Sequence, residues 1–239
     1  MNQEVRIDAR DDLGRTPLEL AVINLLPDVV DTLLERGADL TSFVFPPASD
    51  FDKRFQLMSS QRWHNFKFSL VSGVLAVAER LKKRGYDLYL DNAVTIMKVL
   101  VKYGSFEKST DIDECWYDDE HFASETKNIM ITNSMPGLSL YELIRLEPAE
   151  AKERVTYTDY FKLACSNEFR QLRVKSPEMF ITHLCEKLTR GFFRLWAGHS
   201  LWKLIKFRLP IECCDMIIDE SLTNKDLYHI CLAAAGQSS

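Results

Sequence analysis

Apolar residues in this chain recur mainly three and four positions apart, the period of helices with one buried face. Leu18, Ala21 and Ile23 make one short face, and Val29-Val30 with Leu33-Leu34 make a second. Gly14 suits the preceding turn, Thr16 a helix cap, Pro17 a first helical position, Pro27 the start of the next helix and Gly37 its left-handed end. Residues 41–65 break the pattern with Pro46-Pro47 and several aromatics, which predicts an irregular segment lying across the helix ends. The period returns over 66–84, with Phe68, Val71, Leu75, Ala78 and Leu81 on one face. Another helix, capped by Asp91 or Asn92, carries Ile96, Leu100 and Val101 and ends at Gly104. Arg84-Gly85-Tyr86-Asp87-Leu88 echoes Arg36-Gly37-Ala38-Asp39-Leu40, so this second pair reads as a diverged copy of the first.

Helical pattern resumes at Ser139, which with Glu142 fits a capping box. Pro148 separates that helix from a charged one over 149–154, and a further helix is predicted over 158–169. Ser176-Pro177 starts a long run containing Phe180, Leu184, Leu188 and Leu195, in which Gly191 and Gly198 suggest a bend and an end. Pro210 begins a helix with Cys214, Ile217 and Ile218 in its apolar stripe. Thr223 and Asp226 form a capping-box variant ahead of Leu227, Ile230 and Cys231. These last two short helices either fold back to close a core or meet a partner.

Between the two helical regions, residues 105–135 turn acidic and rich in Asp, Ser and Thr, ending in Met135-Pro136-Gly137; they read as a solvated connection with Trp116 and Tyr117 as anchors. The chain thus divides into 1–104, 105–137 and 138–239. Its 239 residues, 46% hydrophobic and 27% charged with net charge −5, describe an ordinary globular protein. No apolar run approaches a membrane span, no secretory leader is visible, and the six cysteines lie mostly in helical patterns. The expected location is intracellular, cytoplasmic or nuclear.

Chemistry is sparse. No nucleophile elbow, phosphate loop, dinucleotide fingerprint or HExxH occurs, so neither a catalytic residue nor a cofactor is expected. His183-Leu-Cys185 and His229-Ile-Cys231 invite a metal reading, but residues two apart on a helix point to different sides, and no metal is expected. Residues 170–208 are basic and interleaved with Phe192, Phe193, Trp196 and Trp202. That pattern fits either a nucleic-acid surface or a face paired with the acidic segment, and the aromatic spacing and net charge favour the second.

Two stretches resemble known elements. Residues 11–39, from Asp-Asp-Leu-Gly-Arg-Thr-Pro-Leu through Gly37-Ala38-Asp39, closely resemble one ankyrin repeat, a unit that buries its faces by stacking on neighbours. Residues 5–10 look like the tail of a preceding repeat. Leu209-Pro210, Ile217-Ile218, Leu222 and Asp226-Leu227 resemble an F-box, the element that docks the Skp adaptor of cullin-based ubiquitin ligases. Together with Tyr157-Thr-Asp-Tyr-Phe, His183-Leu-Cys-Glu-Lys-Leu and Arg190-Gly-Phe-Phe, the arrangement is similar to ankyrin proteins ending in a PRANC domain, found in poxviruses and parasitoid wasps. The resemblance implies an all-α fold: a short ankyrin-type helical solenoid followed by a C-terminal helical PRANC/F-box-like bundle. It also implies a non-catalytic adaptor that recruits a Skp–cullin ubiquitin ligase to an unknown protein target; hydropathy gives no membrane partner, and the net charge argues against nucleic acid. Leu209, Pro210, Ile217, Ile218, Leu222 and Leu227 would dock the adaptor; Leu13, Arg15, Glu19, Ile23 and Asn24 would touch the target. The alternative is an ankyrin scaffold whose tail only caps the solenoid.

Overall fold

Thr16 opens the first helix with a reciprocal cap. Its hydroxyl accepts from the Glu19 N–H at 3.2 Å, and the Glu19 carboxylate accepts from the Thr16 N–H at 2.7 Å. Helix α1 (Pro17–Ile23) leads through Leu25, at φ 55, into α2 (Pro27–Glu35), with Gly14 and Gly37 in the left-handed conformations their positions predict. The computed structural model describes residues 6–59, 66–104, 120–132, 137–174 and 176–236, and the fold they form is all-α but for one small two-stranded sheet.

Helix α3 (Ala48–Ser59) corrects the expectation of an irregular segment at 41–65. Pro46 and Pro47 stand just ahead of the helix rather than inside it. Phe51 and Phe55, four apart, bury one face, and Phe55 meets Tyr103 edge-on at 5.2 Å. Residues 60–65 of that segment lie outside the described residues.

The next helix, α4 (Phe66–Lys83), is the centre of the molecule. Phe68, Val71, Ser72, Val74, Ala76, Val77 and Leu81 are all buried, so no side of its middle faces water. It packs most extensively on α9 (Tyr157–Cys165), and also on α11 (Pro177–Leu204), α5 (Leu90–Gly104) and α2. Charged contacts fasten these seams. Arg80 and Arg84 reach Asp31 of α2 at 2.9 and 3.2 Å, and Glu79 accepts from the N–H and hydroxyl of Thr158 at the start of α9. One continuous apolar core runs from Leu18 to Cys231, across the boundaries drawn from the sequence.

Gly73 makes the tightest of these seams possible. A Cβ there would lie 3.1 Å from the Leu25 Cβ and 3.1 Å from a Phe161 ring carbon. Gly73→Ala gains roughly 1 kcal/mol of helix propensity. The overpacking costs about 1–3 kcal/mol, so a net loss is expected, read as a lower urea midpoint. Gly236→Ala, at the last residue of α13 with nothing within 4 Å, should not lower the midpoint.

The segment from 105 to 137 is also more than a connection. Helix α6 (Glu120–Lys127) buries Phe122 and Thr126, four apart, and Phe122 meets Phe180 edge-on at 5.6 Å. Strands β1 (Met130–Thr132) and β2 (Leu138–Ser139) then pair antiparallel, with a bulge between Met130 and Thr132. Residues 105–119, with Trp116 and Tyr117, lie outside the described residues.

Ser139 and Glu142 form the predicted capping box of α7 (Leu140–Arg145), and α8 (Pro148–Arg154) follows. The helix predicted over 158–169 is two: Ser166 turns extended after α9, and its hydroxyl caps α10 (Asn167–Gln171). Gly198 does not end α11, which continues through both glycines to Leu204. They make room instead, since added Cβ atoms would approach Lys152 Cδ to 3.0 Å and Asp215 Oδ1 to 3.1 Å. Helices α12 (Ile211–Ser221) and α13 (Asn224–Gly236) complete the chain. No helix among the described residues is long and apolar enough to cross a membrane.

Candidate functional site

Exposed large hydrophobic residues gather along the chain where α11 gives way to α12. Five of the thirteen fall between Phe207 and Ile217: Phe207, Leu209, Ile211, Met216 and Ile217. Such clustering, rather than single exposed residues, marks interaction sites.

The loop that carries them is held in one shape. The Lys206 N–H donates to the Lys203 carbonyl at 2.9 Å and the Phe207 N–H to the Trp202 carbonyl at 3.0 Å, the paired bonds of a Schellman cap. Lys206 and Phe207 take φ values of 56 and 59, where non-glycine residues cost about 1 kcal/mol each. The hydrophobic contact of the motif is Phe207 against Trp202, edge-on at 4.5 Å, and the Trp202 indole N–H donates to the Leu209 carbonyl at 3.0 Å. Pro210 caps α12 from outside, its carbonyl accepting from the Cys213 N–H at 3.1 Å.

Helix α12 then has two unlike faces. Cys214 and Ile218 are fully buried against α11, whereas Met216 is 59% and Ile217 41% exposed beside half-buried Cys213. Glu212 and Glu220, four residues either side of Met216, edge this outer stripe. The inner face is anchored by Arg190, which donates to the Leu222 and Ile218 carbonyls at 2.8 and 2.5 Å, ending α12, and to Asn224 Oδ1 at 3.3 Å. Arg194 pairs with Asp219 through two bonds of 2.8 and 2.9 Å. Helix α13 buries Leu227, Cys231 and Ala234 in its packing against α11 and α5.

The residues expected to dock an adaptor therefore divide. Leu209, Pro210 and Ile217 are exposed and Leu222 is half-buried, while Ile218 and Leu227 are core. Sequence spacing missed Phe207 and Met216. Met216 sits between two carboxylates in the pattern, and the left-handed Phe207 carries no periodic signal.

At the other end of the molecule, Leu13 is exposed at the tip of the first turn. Arg15 pairs with Asp11 at 2.7 Å, Glu19 serves the α1 cap, and the Asn24 amide donates to the Leu20 carbonyl. Ile23 is buried, because the turn at Leu25 folds it inward. Leu26 is exposed, as is Val29, which the spacing puts on the apolar face with Val30, Leu33 and Leu34.

The basic segment turns much of its charge inward. Lys187, a residue nine-tenths buried, donates from its ammonium to the Leu143 and Ile144 carbonyls at 3.2 and 2.6 Å and to the Leu146 carbonyl, filling the open end of α7. Burial pushes its pKa down to about 8, opposed by Glu147 and Glu150. Burial and Lys187 together push His183 down, and its Nε2 lies 3.3 Å from the Ile144 carbonyl. These groups line a groove of about 670 Å³ between the ends of α7 and α12. The expected pairing with the acidic segment rests largely on residues 107–119, which lie outside the described residues. Lys203, Lys206 and Arg208 remain exposed.

Cys185 and Cys231 are buried, and no group of three or more His, Cys, Asp or Glu side chains among the described residues is placed to hold a metal ion. The arrangement is a helical surface suited to protein contact. Comparison with family models, curated proteins and solved structures found no match.

Proposed function

We propose that this chain is a non-catalytic adaptor. In this reading the outer face of α12 with Leu209 docks the Skp-type adaptor of a cullin–RING ubiquitin ligase, and the α1–α2 end holds a target protein. The observation that supports it is the exposed stripe of Met216 and Ile217 on a helix whose opposite side, Cys214 and Ile218, is locked in the core. A rigidly held apolar face loses little conformational freedom when a partner arrives. The F-box-like spacing falls on this same helix, with Leu209 and Pro210 at its start.

The α1–α2 hairpin is then an ankyrin repeat, α4–α5 a diverged pair and residues 138–239 the PRANC-like part. Ile218 and Leu227 act as interior supports, and Leu13 joins Leu26 and Val29 in the target face. A single hairpin exposes little beside the roughly 800 Å² per partner of an ordinary interface, so the target contact extends onto neighbouring surface.

A second reading, a scaffold whose tail only closes the core, is favoured by the burial of Leu227 and Cys231 against α11 and α5. Pull-down with a purified Skp-type adaptor separates the two. Leu209→Ala and Ile217→Ala should each weaken binding by about 2 kcal/mol, roughly thirtyfold, with melting temperature nearly unchanged. Wild-type protein that retains no adaptor leaves only the scaffold.

A further inference from the structure

We infer that the docking face extends beyond α12 to the end of α11, where Phe207 is a second apolar anchor with Lys203, Lys206 and Arg208 exposed close to it along the chain, and that it takes an acidic protein surface. This rests on the adaptor reading above and adds residues outside the F-box-like spacing.

Two independent observations lead to it. The first is conformational. Lys206 and Phe207 are consecutive non-glycine residues at positive φ, in a cap that glycine ordinarily fills. The strained geometry holds Phe207 across Trp202 with 57% of its surface in water, so a large aromatic side chain is displayed rather than hidden. Aromatic side chains, Phe among them, are enriched at the cores of protein interfaces.

The second is electrostatic. Higher on the same helix, Lys187 and Arg190 are occupied by helix-end carbonyls and Arg194 by Asp219. Lys203, Lys206 and Arg208, within six positions of one another, have no carboxylate partner among the described residues. Three such charges close along the chain to one apolar side chain make a local positive field that acts over roughly 10 Å at 0.1 M salt.

The neighbouring charges decide which anion fits. Glu212 and Glu220 flank Met216 on the adjoining outer face of α12. A nucleic-acid strand or anionic membrane, negative throughout, would meet these carboxylates as it approached the cations. A protein can place acidic groups opposite the α11 cap and neutral or basic groups opposite α12. Charge matching of this kind governs association rate and register more than final affinity.

The test measures association and dissociation rates of the full chain with purified Skp-type adaptor at about 50 and 500 mM salt. The triple variant Lys203→Glu, Lys206→Glu, Arg208→Glu should slow association about tenfold at low salt, with the difference collapsing at high salt. Should that variant not fold, glutamine at the same three positions should give a smaller slowing with the same salt dependence. Phe207→Ser should speed dissociation about tenfold with little change in association. If wild type binds and neither charge variant alters association, the inference is wrong while the adaptor reading stands. If wild type does not bind, both fall. Equally tight, cap-dependent binding to phosphatidylserine vesicles or a single-stranded oligonucleotide would also overturn the assignment of an acidic protein.

Discussion

Replacing Lys187 with methionine is expected to lower the free energy of unfolding at pH 7 by about 1 kcal/mol, because loss of the donor to three carbonyls is partly offset by relief of the ammonium's desolvation. For a chain of this length that is a fall in melting temperature of roughly 2–4 °C. The substitution keeps most of the side-chain volume and removes only the ammonium group. That group is the shared donor for the Leu143, Ile144 and Leu146 carbonyls at the end of α7. A methionine sulfur donates nothing, so acceptors beside a mostly apolar wall lose a charge-assisted partner.

The pH dependence has a defined sign. Burial places the folded-state pKa of Lys187 at about 8, below the ordinary 10.5. Between those values the unfolded chain holds the proton and the folded chain has released it. The unfolded state then binds more protons, and this lysine makes the protein more stable as pH rises through that interval. Its unfavourable contribution is complete below the folded pKa and fades above it. The deficit of Lys187→Met relative to wild type should therefore widen between about pH 8 and pH 10, as read by urea unfolding of both proteins. A deficit that stays flat or narrows would show that the ammonium is not desolvated in the folded chain.

Ile218→Ala and Ile217→Ala should differ sharply although the residues are adjacent. Ile218 is fully buried between α12 and the rest of the core, so truncation leaves a cavity and costs about 2–5 kcal/mol. Ile217 is 41% exposed, and its truncation should change stability by no more than about 0.5 kcal/mol. Thermal melts of the pair check the orientation of α12 without any partner. Similar losses at both positions would mean that the helix is rotated from the arrangement described, and the exposed stripe would lose its meaning. Leu227→Ala should behave like Ile218→Ala, because Leu227 is equally buried in α13.

Most helices were legible where several local signals agreed. Thr16, Pro17 and Gly37 mark the first hairpin because caps, fixed φ and left-handed ends are properties of single residues and near neighbours. Ser139 with Glu142 and Thr223 with Asp226 were readable for the same reason. Signals that two structures share were misread. Pro46-Pro47 beside aromatics suits either a loop or a helix entrance, and α3 is the second. Gly198 suits either a helix end or a close approach, and in α11, which runs on to Leu204, it serves the second.

The candidate site was half legible. The F-box-like spacing singled out Leu209 and Ile217, which are exposed, along with Ile218 and Leu227, which are not. Helical periodicity gives a stripe but not the direction it faces, so two sides of α12 were merged. Likewise, the cluster of positive charge over 170–208 was visible, but which charges reach water was not.

The sequence alone determined that this protein is helical, where most helices begin and stop, and that no familiar catalytic motif is present, because these follow from interactions within a few residues. Tertiary structure decided the rest. It made α4 a shared centre, turned Lys187 and Arg190 onto helix-end carbonyls, and left Phe207, Met216 and Ile217 in water while Ile218 is covered. Each of these depends on contacts between residues tens to more than a hundred positions apart, and local spacing carries no information about which distant face will be there.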